Sequence, residues 1–312
     1  MRKNHKKIPQ NHLNPQKYIT CRKTDNLLVY EAKFQSLSDL HLFLTSNPQV
    51  NKDIFPTQKS IYSPPQFAGE PLETAISYCL GGYEKDFSLF LKLKRDMDRV
   101  NMRHVKSRKL RPSVVGSRPN VPAFVAGAPL SMYRMERARE KKFITIYMNL
   151  AYTHNTTEEQ IRNRGILTLN LIKLLENNDY IVNLKVFEAC AVEKEIFTAS
   201  IGLKKPGELL DVKKCYYPLC SKEFLRRVLC RVKESVPFLG KWHLSYGQLL
   251  SEDRTRSIMN IPQDAIVINA PDEMMIRGYN IYEDADAFWK KLNLSLDIIV
   301  PDYVKESKEE NY

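Results

Sequence analysis

The side chains best placed to do chemistry lie in one short run, Asn149-Leu150-Ala151-Tyr152-Thr153-His154. It follows an apolar stretch, Lys142 to Asn149, and precedes a long amphipathic segment, so it reads as the loop between a strand and a helix. In an α/β domain that loop faces the ligand crevice. Asn149, Ala151, Tyr152, Thr153 and His154 are therefore the candidate ligand-face residues. The loop lacks the carboxylates and glycines that announce a familiar chemistry, and a lone His154 is more simply an exposed turn residue. No catalytic residue is assigned.

Other motifs exclude more than they suggest. No glycine pattern matches a P-loop or a dinucleotide fingerprint. Cys215 and Cys220 stand five apart with Cys230 beyond. No second close pair joins them, and the nearest histidine is His243. That spacing is a poor zinc site, and Cys220 and Cys230 read as packing residues around a helix. No metal and no cofactor are expected. The six cysteines make no dense framework and read as reduced thiols.

Positive charge is the second signal. The 312 residues carry a formal charge of +12. Arg99, Arg103, Lys106, Arg108, Lys109 and Arg111 belong to a basic run between Lys92 and Arg118, and Lys222, Arg226 and Arg227 lie on one expected helix. These are the candidate nucleic-acid contacts, of a weak and sequence-independent kind. Tyr216, Tyr217 and Trp242 lie near the second group, where aromatics could stack on bases, although core packing accounts for them more simply. A solvated basic helix face is the commoner reading of such a group.

Composition sets the frame. Hydrophobic residues make up 43% and charged residues 27%, ordinary values for a globular protein. No apolar run reaches the roughly 20 residues that span a bilayer. No apolar stretch follows the basic start, so no secretory signal is expected, and the cytoplasm is the expected location.

The elements that position the loop follow from periodicity. Residues 1–30 read as a flexible basic arm and 31–139 as a mainly helical region. That region holds helices near 36–47, 72–78, 85–102 and 132–141, and an apolar, buried, irregular Pro/Gly segment over 113–129. Residues 140–303 read as an α/β domain, and 304–312 as a polar tail. Within the domain, strand 142–150 leads to a helix opening at Thr156-Thr157-Glu158-Glu159 and closing at Asn177-Asn178-Asp179. Strands 180–188 and 194–203 are linked too closely for a crossover and should pair antiparallel. A helix over 221–234, strand 264–269, helix 284–292 and strand 297–300 complete it.

That order, ending in Ala265-Ile266-Val267-Ile268-Asn269, resembles the von Willebrand factor A-type fold over roughly residues 142–300. The resemblance implies a doubly wound α/β sheet with one antiparallel edge strand. It also implies a metal motif, Asp-x-Ser-x-Ser, at the end of the first strand. Here the matching positions are Asn149, Ala151 and Thr153, and Asp272 is the nearest later acid, so the metal site is degenerate and the domain reads as a binding scaffold.

A second resemblance rests on Val115-Gly116-Ser117-Arg118-Pro119-Asn120-Val121-Pro122-Ala123, Gly127-Ala128-Pro129-Leu130-Ser131-Met132 and Arg164-Gly165. It is to uncharacterised proteins of bacteriophages and mobile elements. It implies such an origin and brings no known activity. The ligand-face loop without catalytic groups, with no nucleotide or metal motif elsewhere, points to a non-catalytic binding or assembly role with an unidentified protein partner. The alternative is a metal-dependent enzyme acting on phosphoesters. That would require Asp272, Glu273, Glu188 and Asp211 to converge near Asn149.

Overall fold

Two strands stand where the sequence predicts an arm. The computed structural model describes residues 17–292 except 25, 84–87, 89, 90, 92–109, 136–141, 241 and 243–245. In it Ile19–Thr24 (β1) and Leu27–Phe34 (β2) form an antiparallel hairpin. Asn26 turns it at a φ of 64°, a backbone that Asn tolerates better than most residues. The flexible arm is thus corrected from residue 19 onward. β1 is largely exposed and polar, so composition concealed it. Only β2 carries a buried alternation, with Tyr30, Ala32 and Phe34 in the core.

Leu37–Thr45 (α1) begins at Ser36, whose hydroxyl accepts from the Asp39 amide. Short turns Lys59–Tyr62 (α2) and Pro65–Ala68 (α3) punctuate the proline-rich stretch, and Leu72–Gly81 (α4) ends at Gly82, at a φ of 75°. The helix expected over 85–102 falls almost wholly outside the described residues. Leu110–Ser113 (β3), Arg118–Pro119 (β4), Val121–Val125 (α5) and Met132–Met135 (β5) follow. The three strands form a separate small sheet in the order β3-β5-β4. This corrects two expectations. Met132–Met135 is a strand and not the start of a helix, while 136–141 lie outside the described residues. The apolar segment 113–129 is not buried, because Val114, Val115, Val121, Phe124 and Val125 are all exposed.

The α/β core runs Lys142–Asn149 (β6), Glu158–Asn177 (α6), Tyr180–Val192 (β7) and Glu195–Lys204 (β8). A capping box of Thr157 and Gln160 opens α6, and Asp179, at a φ of 66°, turns the chain into β7. β6 and β7 are parallel; β7 and β8 are antiparallel, as their short link predicts. Val212–Cys220 (α7) then leads to a π-helical turn, Phe224–Leu229 (π1), which continues as Cys230–Glu234 (α8). Gln248–Leu249 (β9), Glu252–Met259 (α9), Ile266–Ile268 (β10) and Ile281–Lys291 (α10) complete the described chain. The strand expected at 297–300 and the polar tail lie outside the described residues.

The main sheet is mixed, in the order β1-β2-β8-β7-β6-β10, with β9 pairing β7 beyond the end of β6. β8 is therefore not the edge strand that the sequence suggests, because β2 pairs with it in parallel and β1 covers β2. On one face Ile146, Met148, Val182, Leu184 and Val186 pack against the helical layer that includes α6 and α7. On the other, Phe187, Ala189, Ile196 and Val267 pack with Leu250, Ile261 and the partly buried Ile258 and Met259 of α9. The larger cluster also takes in Tyr18, Leu40, Phe55 and Ala75. Residues on both sides of position 140 thus share one core, and the sequence boundary there does not separate two cores.

Among the described residues, no helix is long and apolar enough to cross a membrane.

Candidate functional site

The sheet reverses its winding between β6 and β10, since the chain leaves β6 for β7 on one side and returns to β10 on the other. Ligand crevices form outside the C-terminal ends of strands at such a point. The loop from Leu150 to Thr157 follows β6 at this point. Asn149 is buried, and its side-chain oxygen accepts from the Ala151 amide at 3.0 Å. Ala151 is buried behind it. Thr153 meets Thr156 at 3.3 Å between hydroxyls, and His154 is exposed. The Tyr152 hydroxyl donates to the Lys222 carbonyl at 3.2 Å, tying the loop to the start of the basic helix.

Beneath this loop lies a residue that function-directed reading of the sequence passed over. Arg164 projects from α6 and is fully buried. Its Nη1 donates to the carbonyls of Asn149 at 2.9 Å and Asn269 at 2.7 Å, so one guanidinium clamps the ends of β6 and β10. Burial lowers its pKa to about 10. Next to it, Gly165 lets α6 lie against α7, since a Cβ there would stand 2.5 Å from the Leu219 carbonyl oxygen. The signal was present: a charged residue inside an otherwise apolar stretch of helix, beside a glycine.

The basic helix turns inward. Lys222 pairs with Glu158 and donates to the Gln66 carbonyl at 2.8 Å. Arg226 Nη1 donates to the Phe67 carbonyl at 2.6 Å, and its guanidinium carbon lies 4.0 Å from the Phe67 ring centre and 5.2 Å from that of Tyr152. Arg227 donates to the carbonyls of Ser60, Ile61, Ser63, Gly69 and Glu70. Arg231 binds Gln58, Asn47 and Pro48. Lys233 pairs with Glu188 inside the core.

The expectation that Lys222, Arg226 and Arg227 contact nucleic acid is corrected accordingly. The irregular stretch 47–70 has carbonyls that no helix or strand satisfies, and these side chains supply the donors. A π-helical turn places residues 226 and 227 together on the inner side, which a 3.6-residue period does not anticipate. Arg99, Arg103, Lys106, Arg108 and Lys109 lie outside the described residues. Arg111 is exposed on β3. Tyr216, Tyr217 and Trp242 are core residues.

The acids that a metal-dependent enzyme needs do not converge. Asp211 caps α7 through the Lys214 amide, Glu188 is held by Lys233, and Asp272 and Glu273 stand in the loop after β10. Among the described residues, no group of three or more His, Cys, Asp or Glu could hold a metal ion. Burial raises the Glu273 carboxyl above the usual range, helped by Glu252 and Asp272. Burial pushes the thiols of Cys215 and Cys230 up to about 12.

Residues 14–296 match a protein family described as Domain of unknown function (DUF7192). The chain belongs to the DUF7192 family. The matched span takes in both the β1–β2 hairpin and the β6–β10 crevice of this DUF7192 protein. No curated protein and no solved structure matches the chain.

Proposed function

We propose that this DUF7192 protein is a non-catalytic binding and assembly protein that docks a protein partner through the small sheet of residues 110–135. The observation that carries this reading is the exposure there of Val115 (74%), Phe124 (71%) and Val125 (79%). Val114, Val121 and Leu130 add to the same unit. Clustered exposed apolar side chains mark interaction surfaces, whereas single ones do not. None of the residues of α5 is buried, and only Ala123 is partly covered.

Exposed Arg111, Arg118 and Arg134 accompany the apolar residues. The chemistry that fits is an acidic protein segment offering apolar side chains between its carboxylates. Both edge strands of the small sheet carry proline, Pro112 on β3 and Pro119 on β4, and a proline cannot donate to an added strand. Docking therefore proceeds through side chains and not through strand addition.

The strand order β8-β7-β6-β10 supports reading the core as a von Willebrand A-like scaffold. Asn149 and Ala151 at that family's metal positions favour a binding role over a catalytic one. The setting we propose is the cytoplasm of a cell that carries a phage or mobile element, following the resemblance of the 115–132 segment. Sequence-independent nucleic-acid binding is the rival, reduced among the described candidates to Arg111, with Arg118 and Arg134 beside it.

A photo-crosslinking amino acid at position 124, with one at exposed Leu209 as control, tests the reading in host cells. The expected result is a discrete protein adduct at 124 that is absent at 209 and weakened by Arg118→Glu. Adducts that do not differ between the two positions would refute it. Adducts to nucleic acid, with salt-dependent oligonucleotide binding in fluorescence anisotropy, would replace it by the rival.

A further inference from the structure

One loop of this chain carries the chemistry that the 110–135 surface asks of a partner. The connection from β10 to α10 exposes Met275 (57%) and Tyr279 (90%). Asp272 and Glu273 are exposed before them and Glu283 after them, against Arg277. The loop is held in shape. Met274 and Ile276 are buried on either side of Met275, whose amide donates to the Asp272 carbonyl at 3.2 Å. Asp284 accepts from the amides of Arg277 and Gly278 at 2.7 and 3.0 Å, and Gln160 donates to the Ile276 carbonyl at 2.9 Å. Met275 itself sits at a φ of 58°, a left-handed backbone that is unfavourable for a residue with a side chain. The fold thus bears local strain to keep an apolar side chain in solvent, and such strain is found where function requires it.

The two surfaces are complementary. Arg111, Arg118 and Arg134 accompany Val115, Phe124 and Val125 on one; Asp272, Glu273 and Glu283 accompany Met275 and Tyr279 on the other. Both are exposed in the same chain, so neither satisfies the other within one molecule. We infer that the occupant of the 110–135 surface is a second copy of this chain, engaged through its 272–283 loop. The inference rests on reading 110–135 as a docking surface and names its partner. Met and Tyr are side chains enriched at interfaces, and a loop already fixed in shape loses little freedom on docking. The formal charge of +12 repels copies at a distance, but that field is screened within roughly 8 Å at physiological salt, whereas partly buried pairs are screened much less. Because the two surfaces differ, the contact is heterologous, and copies add until a ring closes or a chain extends.

The mass of the full-length protein is to be followed by light scattering over a wide range of concentration. It should rise above that of one chain. Arg118→Glu with Arg134→Glu, and separately Asp272→Lys with Glu273→Lys, should each weaken self-association at least about tenfold, because each sets like charges opposite one another. An equal mixture of the two variants should associate again, since each then meets its opposite. All these positions are exposed, and circular dichroism checks the fold. Met275→Gly removes the anchor and suits the left-handed backbone, so it should lower association without lowering Tm. A single-chain mass at every concentration, or association unchanged by either pair of substitutions, overturns the inference.

A photo-crosslinking amino acid at position 124 separates this inference from the reading it rests on. An adduct of two copies of the chain, joined between 124 and the 272–283 loop, supports both. An adduct to another protein keeps the docking surface and overturns the second copy as its partner. No discrete adduct at all overturns both.

Discussion

Replacing Arg227 with Met tests whether the basic helix is a tie for the 58–70 segment or a surface for anions. Arg227 donates to five carbonyls over 2.9–3.3 Å. Two of them, at Ser60 and Gly69, belong to buried residues and cannot turn to water, whereas Ile61, Ser63 and Glu70 are at least partly exposed. Leaving a buried acceptor without a donor costs about 1–3 kcal/mol, so the two together cost about 2–6 kcal/mol. Methionine keeps most of the apolar stem, so the packing loss is small. Removing a desolvated charge returns part of the cost, and a net loss of about 3 kcal/mol is expected.

Urea unfolding should show a lower midpoint with an unchanged slope. Hydrogen exchange should rise first in residues 59–70, because this tie holds them while the sheet hydrogen bonds remain. Arg227→Lys should recover less than half of the loss, since an ammonium has three donors on one point and cannot reach carbonyls spread along a loop. A loss under about 1 kcal/mol, the ordinary effect of a surface change, or full rescue by Lys, would refute the tie.

Three further outcomes follow from named contacts. Gly165→Ala drives a methyl group into Leu219 and Cys220, and should cost about 1–3 kcal/mol in thermal or urea unfolding as α6 and α7 are forced apart; a neutral effect would show that these helices yield freely. Tyr30 and Tyr246 donate to the buried acids Glu195 and Glu234. Burial first, and those acids next, raise both phenols above their ordinary value. Above about pH 10 the unfolded chain then loses protons that the folded chain retains, so stability falls as pH rises, and Tyr30→Phe with Tyr246→Phe should flatten that slope in Tm against pH. Cys21 is exposed while Cys79, Cys190, Cys215 and Cys220 are buried, so a thiol reagent should label Cys21 in the native protein and those four only in denaturant.

The central unit was legible because its signals are local. Apolar alternation in β6 and β7, the Thr157 and Gln160 cap, and the short link before β8 each act within a few residues, and each is enough to place its element. The same holds for the loop at Asn149–His154, whose place between β6 and α6 follows from strand-loop-helix order. Elements with weak local signals were lost. β1 has almost no buried face, and β5 is four residues of mixed character, so neither stands out from loop or helix.

Charge was the least legible property. Lys222, Arg226 and Arg227 look alike whether they face solvent or carbonyls, and only the path of residues 47–70 across the helix decides between the two. Arg164 is the same case at the switch point, since its two acceptors come from strands more than a hundred residues apart in sequence. The sequence by itself determined which segments become strands and helices around the crevice, because hydrophobic period and capping are short-range. Only the tertiary structure decided that the positive side chains there are buried, because a carbonyl left unpaired by one segment is satisfied by whichever distant donor the fold brings to it.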